Sequence, residues 1–342
     1  MLVSPIPIED PNWQTFVISH PTASVFHLPA WTSTIADCYR FDAFVLAMRD
    51  SEQEILAGLP VVAVRSPFGR RRLVSLPFSD VCPVLARPDA SIEDFVVALR
   101  EYVMASGISG LEVRSSLPSD ADCHLLQVGY HHVVGLPRNS DDLHPNKGHR
   151  NARNRALRNG IHITRGNRAE DVETYYQLHT LTRRRLGIPV QPRRFFNLIA
   201  DRLVTRGHGF VATASAEGHV VAAGLYLSHP NHHTLTAKFG ASDPEHQDTR
   251  AGYLIDWEVM SQACREGYRS LDFGRTDLGA DGLRLYKTGW GAAESPLQYS
   301  YISAQTPPGL HLQPGGRSRT LIRHSPVWVC RVVGEVLYRW TA

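Results

Sequence analysis

Apolar and polar positions follow the same order in two distant segments of the chain. Residues 44–59 read FVLAMRDSEQEILAGL, and residues 210–225 read FVATASAEGHVVAAGL. In each segment an apolar run that begins with Phe-Val leads through a polar stretch to a second run ending in Ala-Gly-Leu. The spacing from Phe44 to Gly58 equals that from Phe210 to Gly224. Strand-forming runs on both sides of a polar turn indicate a β-hairpin, so the pattern predicts two equivalent hairpins.

Each predicted hairpin is followed by an amphipathic helix and then by another strand. The helical stretches read IEDFVVALREYVMASG, ending at Gly107, and LIDWEVMSQACREG, ending at Gly267. A glycine at this place suits the left-handed conformation that closes a helix. Four residues after each glycine an apolar strand begins, at Leu111 and at Leu271. The order of elements is therefore repeated as well as the hairpin.

This repetition predicts the α/β class, with an α+β mixed sheet in each of two tandem domains. Chance similarity of short apolar strings is the alternative explanation. The predicted divisions are an N-terminal domain over residues 1–143, a basic linker helix over 144–168, a C-terminal domain over 169–305 and a helical tail over 306–342.

The composition is that of a globular protein, with 43% hydrophobic and 20% charged residues. The N-terminus lacks the basic and then apolar pattern of a secretory signal, and no apolar run approaches the roughly 20 residues of a membrane span. We therefore expect a cytoplasmic protein. The single cysteines, and a His229/His233 pair interrupted by Pro230, give no metal-ligand spacing, so no metal site is expected.

The positive charge is concentrated in one segment. The whole chain carries a formal net charge of only +3, whereas residues 144–168 contain seven Lys or Arg and no acid. At helical spacing, Lys147, Arg150, Asn154 and Arg158 share one face. Such a face can bind an RNA backbone, or it can simply be solvated. The predicted nucleic-acid-binding residues are Lys147, Arg150, Arg153 and Arg158.

Residues 271–292 read LDFGRTDLGADGLRLYKTGWGA. A strand ending in Asp-Phe-Gly, then Gly-Leu, an aromatic-Lys pair and Trp-Gly-Ala resemble the C-terminal signature of the FemABX-like aminoacyltransferases within the GNAT superfamily. The segments that end at Trp31 and at Phe196 resemble the same family, so the resemblance covers nearly the whole chain. It implies two tandem GNAT-like domains that transfer an aminoacyl or acyl group to an amine.

The resemblance also implies aminoacyl-tRNA as the donor, no cofactor, and an amine-bearing peptide or small molecule as the acceptor. Members that act on nucleotide-linked cell-wall precursors often carry a lysine where this chain has Thr34, so a peptide-like metabolite is considered beside a cell-wall peptide. DNA is not expected as a partner. The apolar C-terminal tail leaves peripheral membrane contact open.

Acyl transfer from an ester or thioester passes through an oxyanion that a fixed cation stabilises. Lys287, in the aromatic-Lys pair, is therefore the predicted catalytic residue, with capping of a turn near Trp290 as its structural alternative. Asp272 has a counterpart in Glu112 of the first copy, which favours a structural pairing for both. The predicted substrate-binding residues are Tyr286, Arg275, Asp272, Trp290, Arg250 and Tyr226.

The segment before the second helix bears on the choice of donor. A CoA-dependent member would have a glycine-rich turn there, whose backbone N–H groups bind pyrophosphate. This chain has only Gly252 in residues 248–253, although Arg250 could bind a phosphate. An acyl-CoA-dependent N-acyltransferase is therefore the alternative function. A non-catalytic module that binds RNA or a lipid surface is the second alternative.

Overall fold

The computed structural model describes residues 2–65, 71–118, 123–231, 233–303, 320, 322–323 and 325–338. The first elements in chain order are β1 (Val3–Ile6), α1 (Pro11–Ser19), α2 (Pro29–Tyr39), β2 (Asp42–Arg49), β3 (Ile55–Arg65), β4 (Arg71–Val74), β5 (Leu85–Ala86), α3 (Ile92–Ala105), β6 (Leu111–Val113) and β7 (Cys123–Gly135). They are followed by α4 (Lys147–Arg158), β8 (His162–Gly166), α5 (Ala169–Leu186), α6 (Arg193–Ile199), β9 (Gly209–Ala216), β10 (His219–Ser228), β11 (Thr234–Ser242), α7 (Ala251–Arg265), β12 (Ser270–Asp277), α8 (Asp281–Gly289), β13 (Ala293–Ile302) and α9 (Val327–Leu337).

The chain divides into two compact units. The first contains the described residues of Met1–Gly129, Pro296–Leu312 and Tyr338–Ala342, and the second contains those of Tyr130–Ser295 and Gln313–Leu337. Most of β13 thus belongs to the first unit, and the second half of β7 belongs to the second. None of the helices in the described part of the chain is both long and apolar enough to span a membrane.

Each unit contains a mixed sheet of the same design. Its strand order is β1-β2-β3-β4-β6-β13 in the first unit and β8-β9-β10-β11-β12-β7 in the second. In both sheets the first three neighbouring pairs are antiparallel, and the fourth pair is parallel. Gly58 lies on β3 and Gly224 on β10, the third strand of each order. The predicted fold class, a mixed α/β sheet in tandem units, is confirmed.

Both hairpins keep a glycine because an aromatic ring lies against its backbone. A Cβ atom on Gly58 would lie 2.6 Å from the ring of Trp13, which is fully buried on α1. A Cβ atom on Gly224 would lie 2.7 Å from the ring of Tyr226. The repeated Ala-Gly-Leu is thus explained by a tight aromatic contact in each unit.

Helix α7 supplies much of the apolar core of the second unit. Its buried residues Leu254, Ile255 and Val259 belong to the same cluster as Phe210 and Ala212 of β9. In the first unit, Phe95 and Leu99 of α3 have the corresponding place. Both helices are followed by a glycine with positive φ, Gly107 at 65° and Gly267 at 82°, as the sequence predicted.

The basic segment differs from the prediction in its extent. The helix expected over residues 144–168 ends at Arg158, because Asn159 and Gly160, with φ of 67°, close it. Residues His162–Gly166 then form β8, the first strand of the second sheet. Helix α4 lies within the second unit and packs on α7. The domain boundaries drawn from the sequence remain predictions.

Candidate functional site

The two parallel strands of the second sheet diverge. β11 and β12 pair in register only over Thr234–Thr236 and Ser270–Asp272, although both strands continue for several residues. β12 bends at Gly274, which has a φ of 65°. The side chain of Asp272 accepts a hydrogen bond from the Gly274 N–H at 2.7 Å. This bond, and a glycine that tolerates positive φ, explain the Asp-Phe-Gly of the motif.

Lys287 lies at this bend. Its side chain is buried, with 5% exposure, and its Nζ donates to the carbonyl oxygens of Gly274 at 3.1 Å and Arg275 at 2.9 Å. These carbonyl groups lie on β12 beyond its pairing with β11. The contacts fix an ammonium group where the two strands separate. Lys287 therefore stabilises the bend in β12 and also places a positive charge beside it.

Tyr286, the neighbour of Lys287 on α8, binds a different element. Its hydroxyl donates to Oδ2 of Asp256 on α7 at 2.5 Å, and the Tyr226 hydroxyl donates to Oδ1 at 2.9 Å. Burial raises the pKa of Asp256 to about 6, against the two tyrosine hydrogen bonds and the charge of Lys287, which lower it. Burial, and then the nearby Asp256 carboxylate, raise the pKa values of both tyrosines. Two predicted substrate-binding residues are thus joined by an acid that the sequence reasoning missed.

A second polar network holds the other side of α8. Arg284 donates two hydrogen bonds to Glu294, at 2.9 and 2.6 Å, and lies over the ring of Tyr130. Glu294 Oε2 is 2.9 Å from His132 Nε2, and His132 Nδ1 is 3.4 Å from the Thr276 hydroxyl. The hydrogen bond from Arg284 is the main reason that the pKa of Glu294 falls to about 2. Since Thr276 follows Arg275 on β12, this network and Lys287 together hold α8 to β12.

Helix α4 is fastened to α8 at its N-terminus. The Asn146 N–H donates to the Gly289 carbonyl at 2.9 Å, and His149 Nε2 lies 2.8 Å from the Tyr286 carbonyl oxygen. The His149 ring fills the place that a Cβ atom on Gly289 would need. Trp290 is buried and packs edge-on against His149, with the ring centroids 4.8 Å apart. The motif's Thr-Gly-Trp thus serves as the docking surface for α4.

Three of the four predicted nucleic-acid-binding residues lie on the exposed surface of α4. Lys147, Arg150 and Arg158 are exposed. Arg153 is half-buried, with its guanidinium 4.2 Å from the Trp257 ring centroid. Within the described residues, none of these four cations forms an ion pair. Their charge is therefore not neutralised by neighbouring carboxylates.

The remaining predicted residues are Arg275 and Asp272, which make contacts at the bend, and Arg250. Arg275 Nε donates to Asp277 at 2.7 Å. Asp272 also contacts His131 Nε2 at 2.8 Å, so its carboxylate serves both the bend and a histidine on β7. Arg250 is exposed and precedes α7 with a φ of 61°. The short helical turn before it, Pro244–Thr249, contains no glycine.

One cleft of the second unit lies elsewhere. It has a volume of about 610 Å³ and lies between β8, β9 and α7, where Arg165, Gln262 and Glu266 line it. None of the predicted site residues borders this cleft. A similar cleft of about 570 Å³ lies between β1, β2 and α3 of the first unit. Because the repeated fold creates both clefts, we attribute them to the architecture.

The first unit closes the corresponding place in its own sheet. Beyond the parallel pairing of β4 and β6, the Arg114 N–H donates to the Ser75 hydroxyl at 2.8 Å, and that hydroxyl donates to the Cys82 carbonyl at 3.1 Å. Arg114 also donates to the Ser79 carbonyl at 2.7 Å. Glu112, the counterpart of Asp272, is paired with Arg72 and Arg114. In the second unit the strands diverge at this place. In the first unit side chains fill the equivalent place.

Sequence reasoning missed Asp256, His132 and Glu294. Asp256 had a usable signal, since it lies on the apolar face of α7 beside Ile255, Val259 and Met260. A carboxyl in such a row requires partners. His132 and Glu294 gave no such signal, because their neighbours come from different strands.

Comparisons with known proteins show which fold the chain shares. Residues 146–288 match the Acetyltransf_6 family, described as an acetyltransferase (GNAT) domain. A comparison with curated protein sequences gave no match. Among solved structures, FemX is similar with a TM-score of 0.67 at 16% identity, covering 88% of this chain and 97% of FemX.

Two further structures share the fold. The C-terminal domain of a putative lysylphosphatidylglycerol synthetase from Agrobacterium fabrum has a TM-score of 0.57 at 12% identity, covering 86% of this chain and 91% of that domain. A tandem GNAT protein from the clavulanic acid biosynthesis pathway has a TM-score of 0.53 at 12% identity, covering 90% of this chain and 99% of that protein. Residues 146–288 therefore match a GNAT acetyltransferase domain, and most of the chain shares the fold of FemX.

Proposed function

We propose that this protein forms an amide bond by moving an amino acid from aminoacyl-tRNA to the amine of a peptide or small molecule. The observation that carries the proposal is the attachment of α4 to α8. The helix with the unpaired cations is bonded through Asn146 and His149 to the backbone of Tyr286 and Gly289. A polyanion on α4 would therefore end close to Lys287.

The reaction needs little beyond positioning and charge. The amine nitrogen attacks the ester carbonyl of the aminoacyl group, so the C–N bond forms and the carbonyl oxygen becomes an oxyanion. The C–O bond to the ribose then breaks, the nitrogen loses a proton, and the departing ribose oxygen takes one up. The Lys287 ammonium would stabilise the oxyanion, or the phosphate or ribose of the donor, from its fixed place on α8 beside β12. Arg275 and Tyr286 would line the path of the donor.

The similar structures support a group-transfer role with different acceptors. FemX resembles the chain over most of its length, and the Agrobacterium protein is named for a lysyl group on phosphatidylglycerol.

The apolar C-terminal tail leaves contact with a lipid surface open. On α9, Cys330 and Gly334 are buried in the second unit, whereas Val332 and Leu337 are exposed.

Acyl-CoA as donor is the alternative. Arg250 at the start of α7 is the specific observation in its favour, because an exposed cation at a helix N-terminus suits a phosphate. The two donors differ in one experiment. Purified protein is given charged tRNA or acyl-CoA with a panel of amines, and amide formation is followed by mass spectrometry with and without RNase. We expect transfer that RNase abolishes, while RNase-resistant transfer from acyl-CoA would establish the alternative.

A charge-reversal variant tests the role of α4 directly. We expect the fourfold variant K147E/R150E/R153E/R158E to lose tRNA binding at moderate salt, because each phosphate contact contributes to counterion release. The matched control reverses four exposed cations outside α4 and changes the net charge equally: R40E, R65E, R206E and R265E. If both variants bind tRNA equally, with the same dependence of affinity on salt concentration, the cations of α4 are only solvated. That result would also remove the RNA-binding helix from the alternative of a non-catalytic RNA-binding module.

A further inference from the structure

Asp256 is a buried acid with no assigned role. Its side chain lies on α7, with 9% exposure, and both carboxylate oxygens accept a tyrosine hydroxyl, from Tyr226 of β10 and Tyr286 of α8. An ionised carboxylate in an apolar core destabilises the fold unless its partners compensate. An asparagine there would fit the same space without the charge. Burial therefore opposes the charged form of Asp256, and the two tyrosine hydrogen bonds offset part of that effect.

The position of Asp256 relates it to the candidate site. Tyr286 precedes Lys287 on α8, and the Lys287 charge is close enough to lower the pKa of Asp256. The other polar groups packed around the carboxyl are the Tyr226 hydroxyl and, behind Tyr286, the ring of His149. Asp256 thus faces the predicted catalytic residue across one tyrosine. The same helix reaches Arg250 at its start.

We propose that Asp256 is a positioning residue for acyl transfer, whose ionised carboxylate fixes the hydroxyl of Tyr286 and with it the start of the Lys287 side chain. The proposal rests on the proposed function in assuming transfer at the bend of β12, but it is independent of the donor. When the carboxylate is ionised it accepts both tyrosine protons. When it is protonated, it loses one acceptor position, and the Tyr286 hydroxyl is no longer held in the same way.

The sign of the pH dependence follows from this. Burial raises the pKa of Asp256 to about 6, so the carboxylate is ionised above that pH and protonated below it. We expect kcat/KM to fall as the pH is lowered through about 6. In Tyr226→Phe, one hydrogen bond that lowers the pKa of Asp256 is lost, and the fall should move to higher pH. This shift is not expected of a residue that serves only packing.

Stability supplies the second measurement. Because the fold raises the pKa of Asp256, the unfolded chain ionises it more readily, and the charged form opposes folding at pH 8. Asp256→Asn should therefore keep or raise the Tm at pH 8, while kcat falls by about 10- to 100-fold, the loss typical of an orienting partner. The decline centred near pH 6 should vanish in this variant, which leaves only the shallower decline that protonation of the acceptor amine imposes on both proteins. His149→Gln is the control, because the pKa of His149 is also lowered by burial, and it should keep the fall near pH 6.

The assay is run with whichever donor is active, aminoacyl-tRNA or acyl-CoA. Transfer from acyl-CoA alone would overturn the proposed function, yet the pH profile would still test Asp256. The proposal is overturned if Asp256→Asn retains activity, if its activity falls only with its Tm, or if the decline centred near pH 6 persists. Absence of transfer from both donors overturns the proposal together with the function.

Discussion

The Nζ atom of Lys287 lies 2.9 Å from the carbonyl oxygen of Arg275, a residue on another element of the same unit. A buried ammonium that binds two carbonyl groups has both a structural and an electrostatic effect. It stabilises the fold by donating hydrogen bonds to two carbonyl groups of β12 that lie beyond the pairing with β11. Its contribution to the chemistry comes from a charge that needs no reorganisation during the reaction.

Removal of this ammonium should separate the two effects. Lys287→Met leaves two carbonyl groups without their donor, which costs about 1–3 kcal/mol in unfolding free energy. The loss of one preorganised donor lowers the single-turnover rate by about 100- to 1,000-fold. Lys287→Arg should recover only part of the rate, because a planar guanidinium places its charge elsewhere. Rates are measured well below both melting temperatures. A Lys287→Met protein that is less stable but near normal in rate would assign Lys287 to the scaffold.

The equivalent glycines of the two hairpins offer a matched pair. Gly58→Ala and Gly224→Ala both force a Cβ atom toward an aromatic ring, and each should cost about 1–3 kcal/mol through overpacking. The ring next to Gly224 is that of Tyr226, whose hydroxyl donates a hydrogen bond to Asp256. The ring next to Gly58 is that of Trp13. We therefore expect Gly224→Ala to lower the transfer rate beyond its effect on stability, and Gly58→Ala to leave the rate of the folded protein unchanged. Equal rate effects from both variants would contradict the assignment of the chemistry to the second unit.

The bend in β12 depends on Gly274. At a φ of 65°, alanine is disfavoured by about 1–2 kcal/mol, so Gly274→Ala should be destabilised by at least that amount. The carbonyl that binds Lys287 should also move, and activity should fall with it. Urea unfolding and single-turnover rates measure the two effects. A stable, fully active Gly274→Ala protein would show that the bend is not needed.

His179 makes the stability of the second unit depend on pH. Burial lowers its pKa from 6.5 to about 3, while its ring contacts Tyr175 and Gln191. Between these pH values the unfolded chain binds a proton that the folded protein does not. The free energy of unfolding should therefore fall as the pH drops below 6.5, by about 1.4 kcal/mol per pH unit from this residue. In His179→Gln this contribution should be absent. Denaturant unfolding from pH 7 to pH 4 measures the free energy of unfolding of the unchanged protein and of His179→Gln. A parallel decline in both would contradict the assignment to His179.

The sequence predicted what depends on local order. The spacings of Phe44 to Gly58 and of Phe210 to Gly224 each lie within one hairpin. The glycines that end the helices act on the backbone of the last helical turn. The composite motif identified the neighbouring Tyr286 and Lys287, and the structure shows that both lie on α8. The end of α4 was misjudged, because the basic periodicity was read past Gly160, where the backbone turns.

Contacts between distant segments were beyond such reasoning. Asp256 binds tyrosines that lie far before and far after it in the chain, and no spacing rule relates the three. The pairing of His132 with Glu294 likewise requires the order of strands in the sheet. The same holds for the attachment of α4, since a helix face can be recognised from its charges, but its partner Gly289 is found only by packing.

Strand β13 carries a consequence for the synthesis of the chain. It completes the sheet of the first unit through pairs such as Leu111 with Ile302, so the first unit remains without its last strand until nearly all of the second has left the ribosome. An N-terminal domain usually folds before the next one emerges from the ribosome. The first unit of this protein cannot complete its fold in that order. A ribosome stalled after residue 290 should carry a first unit that proteases still digest, and a stall placed well beyond Ile302 should protect it.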